Sequence, residues 1–137
     1  AASVTSVDVG RNQLHATLRA DPRVTVLEAT DARVLTPELV ASPPGFIVCD
    51  ASFNTMHKLL SVPLSLSSAG AALVALFKPQ FEVGREYVGK GGIVTDTAAT
   101  RRAEDAFVEW LAEQGWPVQA RVDSPIKGGG LAQIGGD

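Results

Sequence analysis

Short runs of β-branched and apolar residues alternate with runs at helical spacing along this sequence, and this alternation is the strongest constraint on its fold. The strand-type runs cover residues 4–9, 24–28, 46–50, 71–77 and 117–122. Apolar residues recur at helical spacing over residues 97–114, and Gly115 is placed to end that helix. Strands that alternate with helices predict βαβ units, so we expect an α/β fold with a parallel sheet and helices on both faces.

Other local signals predict the remaining elements. A short helix is expected over residues 12–20, and a second over residues 36–40, where Thr-Pro begins it. Residues 55–66 predict a helix that Pro63 should end or kink. The continuous apolar run at residues 71–77 predicts a strand buried on both faces.

Composition excludes several classes of protein. The 137 residues suffice for one domain or a piece of a larger one, and no apolar run is long enough to cross a bilayer. Net charge is −3, so the chain is not a polybasic nucleic-acid binder by itself. If it acts on RNA, much of the phosphate contact must come from elsewhere. One cysteine, Cys49, excludes an internal disulfide and a cysteine-based zinc site, and a cytoplasmic location is expected.

Polar residues lie at the ends of the predicted strands. Asp8, Asp50 and Lys78 end strands, and Asp31 follows another. Ligands of open α/β sheets bind beyond the carboxyl ends of the strands, so these four groups predict a site at one edge of one sheet. Each residue taken alone is more often a helix cap, a turn former or a solvated strand end than part of a site. A charge directly after an apolar strand is costly unless it is paired or used, which favours a function for Asp50 and Lys78.

Other polar features carry weaker signals. Asp8 fits the role of an acid that accepts hydrogen bonds from ribose hydroxyls. The glycine-rich stretch at residues 84–92 lacks Walker A spacing and predicts a mobile loop over the carboxyl ends of the strands. His15 and His57 have no metal-ligand spacing, so no metal site is expected. The glycine-rich tail at residues 127–137 is expected to be irregular.

Seven short motifs occur in a fixed order along the chain. They are VDVG (7–10), NQLH (12–15), TDAR (30–33), CDASF (49–53), KPQFE (78–82), VGKGGIV (88–94) and SPI (124–126). Together they resemble the TlyA-type hemolysin family, whose catalytic domain is similar to FtsJ-type ribosomal RNA 2′-O-methyltransferases. The resemblance implies that residues 1–126 are part of a class I, Rossmann-like methyltransferase domain that uses S-adenosylmethionine.

The resemblance also implies roles for individual residues. Asp8, with Val9, would hold the ribose of the cofactor. Asp31, with Ala32, would meet the adenine. Asp50 would place the cofactor methyl group, the lysine or the substrate hydroxyl.

The implied chemistry is methyl transfer to a ribose 2′-hydroxyl of ribosomal RNA, in free RNA or in ribosomal subunits. Asp50 and Lys78 match two members of a Lys-Asp-Lys-Glu catalytic set. Lys78 would either deprotonate or orient the hydroxyl. A base role needs a partly neutral amine, whereas a neighbouring carboxylate favours the charged form, so both roles stay open.

The sequence lacks parts of the family pattern. The glycine-rich cofactor loop with the strand before it, the first catalytic lysine and the final glutamate are absent. In the implied sheet that strand is central, so its absence would leave two unpaired strand edges and favour a homodimer. We therefore expect this chain alone to have little or no methyltransferase activity. Two alternatives are a non-catalytic Rossmann-like binding module and a membrane-active hemolysin, although no segment predicts stable membrane insertion.

Overall fold

The computed structural model describes residues 1–52 and 54–125, and strands alternate with helices there as predicted. The elements in chain order are β1 (Val4–Val7), α1 (Ala16–Arg19), β2 (Val24–Leu27), β3 (Phe46–Cys49), α2 (Met56–Leu66), β4 (Ala72–Ala75), α3 (Pro79–Glu82) and α4 (Thr97–Glu113). Three single 3₁₀ turns cover Ala32–Val34, Arg85–Tyr87 and Lys90–Gly92. Two of these turns lie in the glycine-rich stretch whose mobility was predicted.

The strands form two separate two-stranded sheets, β1–β2 and β3–β4. β1 and β2 are parallel, and Val7 lies opposite Leu27. In the second sheet Ala72 N–H donates to the Gly45 carbonyl and Leu76 N–H to the Cys49 carbonyl, so these strands also run in one direction. Within the described residues no strand pairs with both β1 and β3, which agrees with the expected gap at the position of the central strand.

The described chain divides into two compact units. Unit 1 comprises Ala1–Ile47 and Leu59–Ala72, and its buried side chains are Leu35, Leu60 and Leu64. Unit 2 comprises Val48–Lys58 and the chain from Leu73 onward, and its buried apolar side chains are Met56, Phe77, Ala99 and Leu111. Each unit therefore has an apolar core of its own.

Helix α4 forms for the local reasons that its sequence predicts. Asp96 caps its start by accepting a hydrogen bond from Ala99 N–H at 3.0 Å. Gly115 adopts a φ of +84° after the last turn, a conformation that favours glycine. The amide of Trp116 then donates to the Leu111 carbonyl at 2.8 Å, which ends the helix as predicted.

Three predictions of local structure fail. No helix forms at residues 36–40, and residues 117–122 form no strand, because a strand needs a partner that the described residues do not supply. β4 is not buried on both faces: its residues alternate in exposure, and Val74 is 59% exposed. By contrast, the helix predicted at residues 55–66 is confirmed, and α2 continues three residues beyond Pro63 to Leu66. Burial of Leu60 and Leu64 on that helix offsets the hydrogen bond that proline cannot make.

Candidate functional site

The carboxyl ends of β1 and β2 bring two acidic residues together in unit 1. Asp8 follows β1, and its amide donates to the Leu27 carbonyl at 3.0 Å. Because the strands are parallel and Val7 lies opposite Leu27, Asp8 and Glu28 leave the sheet side by side. Asp8 Oδ1 accepts a hydrogen bond from Gly10 N–H at 2.8 Å, which holds the carboxylate over the turn that follows the strand. Within the described residues, Asp8 Oδ2 accepts no hydrogen bond.

A cavity of about 210 Å³ opens at this end of the first sheet. Its lining residues are Ser6, Asp8, Gly10, Gln13, Leu14, Val26, Leu27 and Glu28. Pockets for ligands of drug size usually start at about 300 Å³, so this cavity fits a ribose and its neighbouring atoms rather than a whole nucleoside cofactor. A carboxylate beside such a space suits a sugar with two adjacent hydroxyl donors. The residues present therefore fit the ribose part of S-adenosylmethionine.

Sequence analysis missed Glu28. Its carboxylate pairs with Arg19 and accepts a hydrogen bond from Asn12 N–H at 3.2 Å, so it joins α1 and the first loop to the end of β2. Its position directly after a β-branched strand was the signal that could have identified it.

The other predicted cofactor residues of unit 1 lie outside the cavity lining. Val9 is 70% exposed in the turn after β1. Asp31 caps the turn that begins at Ala32. Both of its carboxylate oxygens accept hydrogen bonds from guanidinium nitrogens of Arg33, at donor–acceptor distances of 2.6–3.1 Å. The Arg33 side chain, followed by its backbone amide, lowers the pKa of Asp31. Contacts of Val9, Asp31 and Ala32 with a cofactor stay a prediction.

In unit 2 the structure brings together Asp50 and Lys78. Asp50 directly follows β3, and Lys78 lies between β4 and the first turn of α3. Lys78 Nζ lies 2.5 Å from Asp50 Oδ1, and the side chains are 11% and 72% exposed, respectively. The lysine side chain is therefore largely buried, whereas the carboxylate that it contacts lies at the surface.

A third polar group completes this contact. Lys78 Nζ also donates to Ser52 Oγ at 3.3 Å, so the ammonium lies between a carboxylate and a hydroxyl of the β3–α2 loop. From the sequence, Ser52 appears only as part of the CDASF motif, with no contact to Lys78 predicted. Its spacing of two residues from Asp50 in the same loop was the available signal.

Glu82, at the end of α3, is a half-buried acid near this loop. Its Oε1 accepts a hydrogen bond at 2.9 Å from the amide of Met56, the first residue of α2. Burial raises the pKa of Glu82, and the Met56 amide acts in the opposite direction. Sequence analysis did not single out this residue.

Other reactive groups contribute little to the site. Burial raises the pKa of the Cys49 thiol, which makes it a weak nucleophile. His15 caps α1 by accepting from Thr17 N–H at 3.2 Å. Among the described residues no helix is long and apolar enough to span a membrane, and no cluster of His, Cys, Asp and Glu is suited to hold a metal.

Comparison with known proteins finds close relatives over nearly the whole chain. The chain is 42% identical over 128 residues to a 16S/23S rRNA (cytidine-2′-O)-methyltransferase, TlyA, of Mycobacterium tuberculosis, and 36% identical over 129 residues to a 23S rRNA (cytidine-2′-O)-methyltransferase, TlyA, of Campylobacter jejuni. These matches cover 93% of this chain but 48% and 49% of the relatives. The chain therefore spans about half the length of the curated relatives that it matches.

A solved structure has the same fold. A protein described as a hemolysin from Streptococcus thermophilus superposes with a TM-score of 0.90 at 34% identity, over 98% of this chain and 49% of that one. The family model described as FtsJ-like methyltransferase matches residues 1–133 of this chain. These matches confirm the predicted resemblance and the α/β fold class. The chain belongs to the FtsJ-like methyltransferase family.

Proposed function

We propose that the protein carrying this chain transfers a methyl group from S-adenosylmethionine to a ribose 2′-hydroxyl of ribosomal RNA. The observation that carries the proposal is the largely buried lysine, Lys78, whose ammonium contacts both Asp50 and Ser52 at the carboxyl ends of two parallel strands. The names of the Mycobacterium and Campylobacter relatives support ribosomal RNA as the substrate.

The cofactor side of the proposal rests on unit 1. Asp8 would accept hydrogen bonds from the ribose hydroxyls beside the cavity, and Val9 would lie along the same turn. Asp31 and Ala32 would contact the adenine. When bound, S-adenosylmethionine supplies a methyl group that its sulfonium already activates. The protein then has to position the acceptor more than activate the donor, and positioning alone can account for large rate enhancements.

Geometry favours an orienting role for Lys78. A lysine ammonium has three N–H donors, and contacts with Asp50 and Ser52 occupy two of them. The third is left to donate to the ribose hydroxyl oxygen, to hold it in line with the methyl group, and to stabilise the negative charge that develops as the hydroxyl proton passes to solvent water. Asp50 would keep the ammonium in place and border the cofactor methyl group.

Low activity of residues 1–137 on their own, a cytoplasmic location and a homodimer also belong to the proposal. Intact mass of the purified protein, measured first, establishes which segments accompany this chain in each assay.

Methylation of ribosomal RNA tests the proposed function. The intact protein, incubated with S-adenosylmethionine and unmethylated ribosomal subunits, should yield a 2′-O-methylated nucleoside on mass spectrometry of the digested RNA. The same assay with residues 1–137 alone should give little or no product. Cofactor binding without turnover by the intact protein would favour a binding module. Leakage of lipid vesicles without RNA methylation would favour a membrane-active hemolysin.

A further inference from the structure

Two contacts join the same pair of segments in unit 2. Lys78 opens the short helix α3 and contacts Asp50 and Ser52 at the start of the β3–α2 loop. Glu82 closes α3 and binds the amide of Met56, where that loop enters α2. Both ends of the loop are therefore attached to one helical turn, residues 78–82.

The Met56 amide needs such a partner. The first amides of a helix have no acceptor within it, and the side chain of the preceding residue usually serves the second or third of them rather than the first. Thr55 serves none of these amides, because its hydroxyl is buried and makes no hydrogen bond within the described residues. The Glu82 carboxylate, 26 residues further along the chain, is the acceptor for the first amide, that of Met56. An acceptor with negative charge is also favourable at the amino end of a helix.

We propose that Glu82 is a positioning residue for methyl transfer: by holding Met56, it keeps the loop with Asp50 and Ser52 at the distance from which both contact the Lys78 ammonium. The inference rests on the proposed function for its catalytic consequence. The part played by Glu82 is to accept one hydrogen bond. Its negative charge is not essential to that part, so a glutamine should replace it.

Kinetics of the intact protein test the catalytic consequence. Glu82→Ala should lower kcat for RNA methylation by roughly 10- to 100-fold, the scale expected when a reacting group moves by about 1 Å. Glu82→Gln should stay within about threefold of the wild type, because its amide oxygen still accepts from Met56 N–H. KM for S-adenosylmethionine should change little in either variant. Glu86→Ala and Glu86→Gln are matched controls, since Glu86 is exposed and four residues further on; both should behave as wild type.

Hydrogen exchange tests the contact without any activity. In Glu82→Ala the Met56 amide should exchange roughly tenfold faster than in the wild type or Glu86→Ala, because one charge-assisted hydrogen bond is lost. Unchanged exchange, or an alanine variant with wild-type kcat, would overturn the inference. An equal loss of kcat in Glu82→Gln and Glu82→Ala would overturn it too, because charge would then be what matters. A wild-type protein that methylates no RNA refutes the proposed function and with it the catalytic consequence, while exchange still decides the contact.

Discussion

The carboxyl ends of the two strand pairs differ in the charged residues that follow them. β1 and β2 end in two acids, Asp8 and Glu28, which border a cavity. β3 and β4 end in residues of opposite charge, and Asp50 contacts Lys78 directly. Arg19 and a backbone amide of the first loop already engage the Glu28 carboxylate, so Asp8 is the acid whose carboxylate suits a ligand that donates hydrogen bonds, such as a sugar. A paired ammonium instead suits the orientation of a group that becomes negative during reaction.

The two ends also differ in what supports them. In unit 2, Phe77 directly precedes Lys78, is 6% exposed and contacts the Phe107 ring with centroids 6.3 Å apart. Near Asp8 in unit 1, the contacts are backbone hydrogen bonds and the Arg19–Glu28 ion pair of partly exposed side chains. The difference teaches that the lysine end rests on an aromatic core, whereas polar contacts between partly exposed groups hold the acidic end. The following changes test that contrast, from the largest expected effect to the smallest.

Phe77→Ala should be the most damaging change. Removing a buried aromatic ring typically costs about 3–5 kcal/mol of unfolding free energy, because a cavity remains in the core. Phe46→Ala on β3 is the matched control, since Phe46 is 61% exposed and should cost less than about 1 kcal/mol. Urea unfolding of the 137-residue chain measures both. An equal loss of unfolding free energy in the two variants would mean that an aromatic core does not support the lysine end.

Lys78→Met should nearly abolish methylation while leaving the cofactor affinity intact. Loss of the ammonium should lower kcat by about 100-fold, or about 2.7 kcal/mol, because the hydroxyl loses its orienting donor. Single-turnover methylation by the intact protein measures the rate, and calorimetry measures S-adenosylmethionine binding. Lys58→Met serves as control on the exposed face of α2. A weakened cofactor affinity in Lys78→Met would mean that the two ends are not separate in function.

Asp8→Asn should weaken cofactor binding while leaving the rate of methylation nearly unchanged. An amide accepts hydrogen bonds more weakly than a carboxylate, so the Kd for S-adenosylmethionine should rise about tenfold. The rate at saturating cofactor should stay close to wild type, because Lys78 and Asp50 are unchanged. Calorimetry and saturation kinetics of the intact protein separate these effects, with Asp105→Asn on exposed α4 as control. Unchanged affinity would disprove the ribose role of Asp8.

Glu82→Gln should change stability least, and in a manner that depends on pH. Burial raises the pKa of Glu82, so the folded chain holds this proton more tightly than the unfolded chain does. The stability that this gives is fully present below the ordinary carboxyl pKa and is lost as the pH rises through the raised value. Relative to wild type, the glutamine variant should therefore gain stability as the pH rises from the ordinary carboxyl pKa through the raised pKa of Glu82. Thermal unfolding across that range measures it, and a constant difference would contradict the half-buried, charged Glu82.

Local patterns predicted one part of the site and missed another. Strand ends can be read from runs of apolar residues, so Asp8, Asp50 and Lys78 stood out, and the structure places Asp50 beside Lys78 as the pattern requires. Ser52 and Glu82 were missed because their partners lie 26 residues away, and no periodicity records such a distance. Position at the end of β2 was a usable signal only for Glu28.

By itself the sequence determined the elements that depend on near neighbours: the strand–helix alternation, and α4 with its Asp96 cap and its glycine stop. Each rests on torsion preferences and hydrogen bonds that span a few residues. Only the tertiary structure decided how strands pair, that residues 117–122 form no strand, and that a glutamate of α3 caps α2. Those outcomes depend on partners distant in sequence, because a strand or a buried amide is stable only where another part of the chain meets its hydrogen bonds.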